Sequence, residues 1–186
     1  MVTASMATAA TAGDRYTPVA ILLHWLTAVL VLCMIAVGLT MVRLPPGDLQ
    51  NLLFDLHRST GVVIFPLVLF RLYYRWRHPP PPLPDDLPAV QKLAAHGSHY
   101  ALYALLLVMP LLGWWGTSAW GATINVFWLF ELPRLVSENK PLGEDILKVH
   151  GNLGIAITVL VAIHIGAALF HHVVRRDRIL LRMLGR

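Results

Sequence analysis

Four apolar stretches limit this chain more than any other feature, each close to the twenty or so residues that a helix needs to cross a hydrocarbon layer; they run from about 18 to 42, 57 to 76, 96 to 118 and 148 to 174. Inside a bilayer no water is available to satisfy backbone N–H and C=O groups, so a segment of this length crosses as a helix. The expected fold class is all-α, an integral membrane four-helix bundle. Composition agrees: 56% of the 186 residues are hydrophobic, only 13% are charged and mean hydropathy is +0.62, which does not suit a water-soluble core of this size.

The formal charge of +5 raises the question of nucleic acid, but the basic residues sit in short clusters beside the apolar runs and not on one soluble face. Membrane lipid is the expected environment, and no nucleic acid partner is expected. Cys33 is the only cysteine, which excludes an intrachain disulfide, a C-x-x-C-H haem attachment and a cysteine-held iron–sulfur cluster. Residues 1–15, "MVTASMATAATAGDR", lack a basic start and a continuous apolar run, so they read as a flexible Ala/Thr tail and not as a cleaved signal peptide. Residues 16–184 read as one four-helix domain without an internal repeat. The segment "HPPPPLPDDLP" cannot be helix and serves as a stiff connector, and the long connection from about 119 to 147, with Trp120, Phe127, Trp128 and Phe130, is expected to cap the outer surface.

Orientation follows from the arginines and lysines beside the spans. Arg71, Arg75, Arg77 and Lys92 flank the second connection, and Arg175, Arg176, Arg178, Arg182 and Arg186 fill the tail. The other side has Arg43, Arg58, Arg134, Lys140 and Lys148, several of them among acids. Both termini are therefore expected in the cytoplasm, in a multi-pass membrane protein.

An imidazole without a partner is costly in hydrocarbon, so histidines within the spans point to a ligand, a proton path or a paired core group. His150 and His164 are 14 residues apart, which returns them to nearly one helix face about 21 Å apart along the axis. One helix thus presents imidazoles at two depths. His24 lies near the inner end of the first span and His57 near the outer end of the second, so depth pairs His24 with His164 and His57 with His150. The residue four places on from each is small: Ala28, Gly61, Gly154 and Ala168. A bulky side chain there would collide with a planar macrocycle held by the imidazole. After the other histidines come Pro82, Tyr100, Tyr103, Arg175 and Arg176, none of them small. Two depths also argue against a single zinc ion, whose ligands converge on one point. His171 is the main rival to His164; His78, His171 and His172 otherwise read as interface-solvated side chains. Arg58 and Arg71 are candidate partners of haem propionates or simple topology anchors. His96 and His99 are candidate contacts of a quinone or a haem edge, or helix-packing residues.

The motifs "ILLHW", "DLHRSTG", "HGSHYALYALLLVMPLLGW", "KVHGNLG" and "IHIGAALFHHVVRRDRILLRML" resemble the bacterial cytochrome b561 family, small dihaem membrane proteins related to the cytochrome b subunits of nickel-iron hydrogenases. The resemblance spans roughly residues 16 to 184. It implies two haems b with bis-histidine ligation at His24, His57, His150 and His164, and electron transfer between a donor and ubiquinone in the respiratory chain. Some members are superoxide oxidases, so it also implies a quinone-linked oxidoreductase of the superoxide:ubiquinone type. In that case Arg58, Arg134, Lys140 and Lys148 would attract the anion, diluted by Glu131, Glu138, Glu144 and Asp145. Two alternatives stand beside this one: an anchor subunit for a redox partner protein such as a separate dehydrogenase or hydrogenase, and a haem-free four-helix transporter or assembly factor.

Overall fold

The computed structural model describes residues 15–186, so all but the last residue of the expected N-terminal tail lies outside the described residues. Helix α1 spans Pro18–Met41; the Thr17 hydroxyl accepts from the Ala20 N–H at 3.2 Å and a proline occupies the first turn, which together satisfy the exposed start of the helix. At its far end Gln50 donates from Nε2 to the carbonyls of Met41 and Leu44, and Arg43 returns to the Leu39 carbonyl. Helix α2 spans Asp48–Arg77, helix α3 Ala89–Ala119 and helix α4 Lys140–Phe170. Among the described residues these four are long and apolar enough to cross a membrane.

Helices α2, α3 and α4 each begin several residues before the expected span. Polar residues such as Asp48, Gln50, Lys92 and Glu144 carry the hydrogen-bonded helix beyond the apolar window, which hydropathy alone does not reveal. Pro66 and Pro110 lie inside α2 and α3. Residues 78–88 contain no helix, in line with the proline run. Hydroxyls within the spans are satisfied by the preceding turn: Thr27 donates to Leu23 and Thr158 to Gly154. Large apolar side chains such as Leu22, Val29, Phe70, Val108, Ile155 and Ile163 point outward, as expected of a surface solvated by lipid.

The bundle consists of two tightly packed hairpins, α1 against α2 and α3 against α4, joined chiefly through α2 and α3, while α1 and α4 meet only sparsely. We call the end that carries the start of α1 and the tail after α4 the inner end. At the outer end the cap includes a two-stranded antiparallel hairpin, β1 (Ile124–Val126) against β2 (Phe130–Leu132), with Ile124 opposite Leu132. It is the one departure from an all-helical chain among the described residues. Its turn holds Phe127 and Trp128 at φ 47° and 59°, an unfavourable backbone for bulky residues. Ser59 of α2 holds it there, accepting from the Phe127 N–H at 2.9 Å and donating to the Asn125 carbonyl at 3.2 Å. Ile124 and Val126 are buried beneath the hairpin.

At the inner end α4 relaxes into a π-helical turn over residues 171–175, and the chain reverses at Arg176 (φ 56°) into the short helix α5, Ile179–Met183. This tail is fastened to three places. Trp25 Nε1 donates to the Met183 carbonyl at 2.9 Å, Arg182 donates to the Pro82 carbonyl at 2.7 Å, and Arg175 pairs with Asp86 at 2.8 Å.

Candidate functional site

The histidines paired by depth do meet. The rings of His57 (α2) and His150 (α4) have centres 6.2 Å apart at the outer end, and those of His24 (α1) and His164 (α4) are 6.3 Å apart at the inner end. An imidazole nitrogen sits about 2 Å from a metal it ligates, so two rings on opposite sides of one ion have centres roughly 6 Å apart. Both pairs fit that spacing. No cluster of three or more His, Cys, Asp or Glu side chains suited to a bare metal ion occurs among the described residues.

The outer pair has a further signature. Nδ1 of His57 and of His150 are buried and have no hydrogen-bond partner among the described residues. Each ring is pressed against a glycine of the neighbouring helix: a Cβ at Gly38 would stand 3.1 Å from His57 Cε1, and one at Gly113 3.3 Å from His150 Cε1. Each ring thus rests against helix backbone, and a Cβ there would fit only if the ring gave way by a few tenths of an ångström. The Cβ positions of Gly61 and Gly154 meet the Met34 and Met109 methyl groups at 3.7 and 3.8 Å, so the small i+4 residues open onto flexible thioethers. These features fit a planar group ligated from both faces. Gly38 and Gly113 escaped the sequence reasoning because only neighbours on the histidine's own helix were considered; the available signal was a glycine 14 residues after a histidine on both α1 and α3.

The inner pair sits in a more polar setting. Arg71 Nη2 lies 2.7 Å from His24 Nδ1, and its guanidinium lies over the Tyr103 ring at 5.3 Å. His99 packs edge-on against His164 with ring centres 5.4 Å apart. Arg71 makes no ion pair among the described residues, whereas Arg58, at the outer end, pairs with Asp55 at 3.6 Å and covers Phe54. A cleft lined by Tyr16, Arg71, Tyr74, Arg75, His78 and Tyr103 opens beside the inner pair.

The remaining histidines separate. His96 is exposed and His99 half-buried, although the two lie close to one helix face. His78 stacks on Tyr74 at 4.1 Å on the exposed surface, and His172 is exposed. His171 is not interface-solvated: its Nδ1 is 2.5 Å from Asp177, which the reversal at Arg176 brings back beneath the helix. Burial opposes ionisation of Asp177, but hydrogen bonds from His171, the Ile179 N–H and Arg175 outweigh it and hold the carboxyl below its ordinary value. Of the outer cations expected to steer an anion, Lys140 pairs with Glu138 at 3.5 Å and Lys148 with Asp145 at 3.4 Å. With Arg58 also paired, only Arg134 of that set is without a carboxylate partner among the described residues.

Comparison with known proteins agrees with this picture. The family model for prokaryotic cytochrome b561 matches residues 15–186. Cytochrome b561 homolog 2 of Escherichia coli is 34% identical over 175 residues, covering 93% of both chains. The probable superoxide oxidase CybB of Yersinia pestis is 31% identical over 172 residues, covering 91% of this chain and 96% of its own. Cytochrome b562 of Cereibacter sphaeroides is 33% identical over 180 residues, covering 91% and 94%. With two histidine pairs in a four-span helical bundle and a match along nearly its whole length, the chain belongs to the prokaryotic cytochrome b561 family, multi-pass membrane proteins that transfer electrons through b-type haem.

Proposed function

We propose that this protein carries single electrons across the bacterial inner membrane through two haems b, from a periplasmic donor of which superoxide is the leading candidate to ubiquinone. The observation that carries the proposal is the spacing of the two histidine pairs, 6.2 Å and 6.3 Å between ring centres, at opposite ends of one bundle. His57 and His150 would hold the outer group and His24 and His164 the inner one. When bound, each haem supplies a one-electron iron couple. Imidazoles on both faces of such a group would leave no coordination position for dioxygen, which suits electron transfer and not oxygen activation. The 14 residues between His150 and His164 would set two such groups about 21 Å apart along the helix.

In the overall reaction two superoxide anions each give up one electron and leave as dioxygen, and one ubiquinone takes both electrons with two protons to become ubiquinol. Arg71 faces the inner pair without a carboxylate and is suited to hold a propionate; Arg58, already paired with Asp55, is less so. The cleft beside Arg71 and Tyr103 is where a quinone ring would approach, with His99 behind it; the exposure of His96 makes it the weaker of the two candidate contacts. The reading is supported by the name of the Yersinia relative, and the cap above Ser59 is where the donor would arrive.

The test is the reduced-minus-oxidised visible spectrum of the purified chain with pyridine haemochrome quantitation. Two haems b per chain are expected, falling to one in H57A and in H164A. A preparation from haem-replete cells that carries no haem b would overturn the reading and favour a proton path.

A further inference from the structure

The two helical hairpins repeat one another at the positions that build the site. In α1, His24 is followed by Met34 ten residues on and Gly38 fourteen on; in α3, His99 is followed by Met109 and Gly113 at the same intervals. Gly61 and Arg71 of α2 and His78 just beyond its end follow His57 by 4, 14 and 21 residues; Gly154 and His164 of α4 and His171 just beyond its end follow His150 by the same steps. The contacts repeat too. Gly38 backs His57 as Gly113 backs His150, and Gly61 meets Met34 as Gly154 meets Met109, each within 0.2 Å of its counterpart. The repeat is hard to see in the linear chain because the cap lengthens the second hairpin: Gly38 and His57 are 19 residues apart, Gly113 and His150 are 37.

The outer pair joins equivalent positions, His57 and His150. The inner pair does not: the counterpart of His24 is His99, and the counterpart of His164 is Arg71. All four meet at the inner end, with Arg71 2.7 Å from His24 and His99 5.4 Å from His164. The inner site therefore contains three imidazoles where the outer site contains two. What separates His24 from His99 is the residue one turn on, Ala28 in the first hairpin and Tyr103 in the second. On a helix the i+4 side chain lies beside residue i, so alanine would leave the imidazole face open and a phenol would crowd it; the Tyr103 ring itself lies against the Arg71 guanidinium at 5.3 Å.

We propose that His99 is a reserve axial ligand of the inner site, able to replace His24 opposite His164, and that Tyr103 is the positioning residue that keeps it out of the iron. The proposal rests on the dihaem reading above. Its test measures haem per chain and the low-spin electron paramagnetic resonance (EPR) signals of full-length chains in detergent. H24A should keep two haems b with an altered inner signal, whereas H24A/H99A and H164A should fall to one, with the outer signal unchanged as the control for folding. An H24A chain with a single haem beside a two-haem wild type would overturn the reserve-ligand proposal and leave the dihaem reading standing. A wild type with one haem or none would overturn both. Should H24A not accumulate, Y103A in the wild-type background decides: two inner low-spin signals are expected once His99 is uncovered, and one unchanged signal refutes the proposal.

Discussion

The outer and inner histidine pairs share one ring spacing and differ in almost everything around it. The outer rings rest on glycine backbone, with buried Nδ1 atoms that no polar side chain reaches. The inner rings are met by a third imidazole and by a guanidinium without a carboxylate. The contrast shows that ligand geometry and electrostatic setting are separate choices in this fold. Two haems held as proposed would differ in potential, because a cation beside a metal centre favours its reduced form.

The largest effect expected of breaking this comparison is at the outer ligands. H57A or H150A should remove the outer haem entirely, with no neighbouring imidazole to substitute, and haem per chain by pyridine haemochrome should fall from two to one. Next comes the glycine seat. G38V should press on the His57 ring and weaken outer haem retention by roughly tenfold or more, as over-packing costs about 1–3 kcal/mol, while the inner spectrum stays unchanged; an equal loss at both sites would refute a local seat. Third, R71Q should lower the inner midpoint potential by on the order of 100 mV, since one charge at haem distance in a medium of intermediate dielectric contributes about 2 kcal/mol. R58Q should shift the outer potential less, because Asp55 already offsets that charge. Redox titration of each variant decides the order.

Smaller effects concern the two surfaces. D177N should cost about 2–4 °C in melting temperature at neutral pH through the lost bond to His171. Because the native carboxyl titrates below its unfolded value, that advantage is present above the unfolded pKa and lost as pH falls through the native one; wild type and variant should therefore converge in acid. At the outer face, K148Q should barely change superoxide-driven haem reduction, since Lys148 is already paired with Asp145, and R134Q should slow it slightly at low salt. A large K148Q effect would restore the steering that the ion pairs argue against.

Much of this was legible in the chain. Hydropathy located the four spans, and depth with i+4 size selected the four histidines that meet. The rest needed three dimensions. Nothing in hydropathy separates His96 from His99, because the rotation of α3 about its axis is set by packing against α4. The turn at Phe127 and Trp128 carries none of the glycine or asparagine that announces a left-handed backbone; its conformation depends on Ser59, nearly seventy residues earlier. Asp177 finds His171 because the chain reverses at Arg176, which does not announce a left-handed backbone in the sequence as a glycine would. The hairpin repeat was obscured by the unequal connections.

The fastening of Met183 to Trp25 joins residues 158 positions apart, nearly the two ends of the described chain. A single hydrogen bond thus ties the first span to the tail helix, so removing the residues after 178 would leave the Trp25 indole N–H without this partner and strip α5 from the inner end.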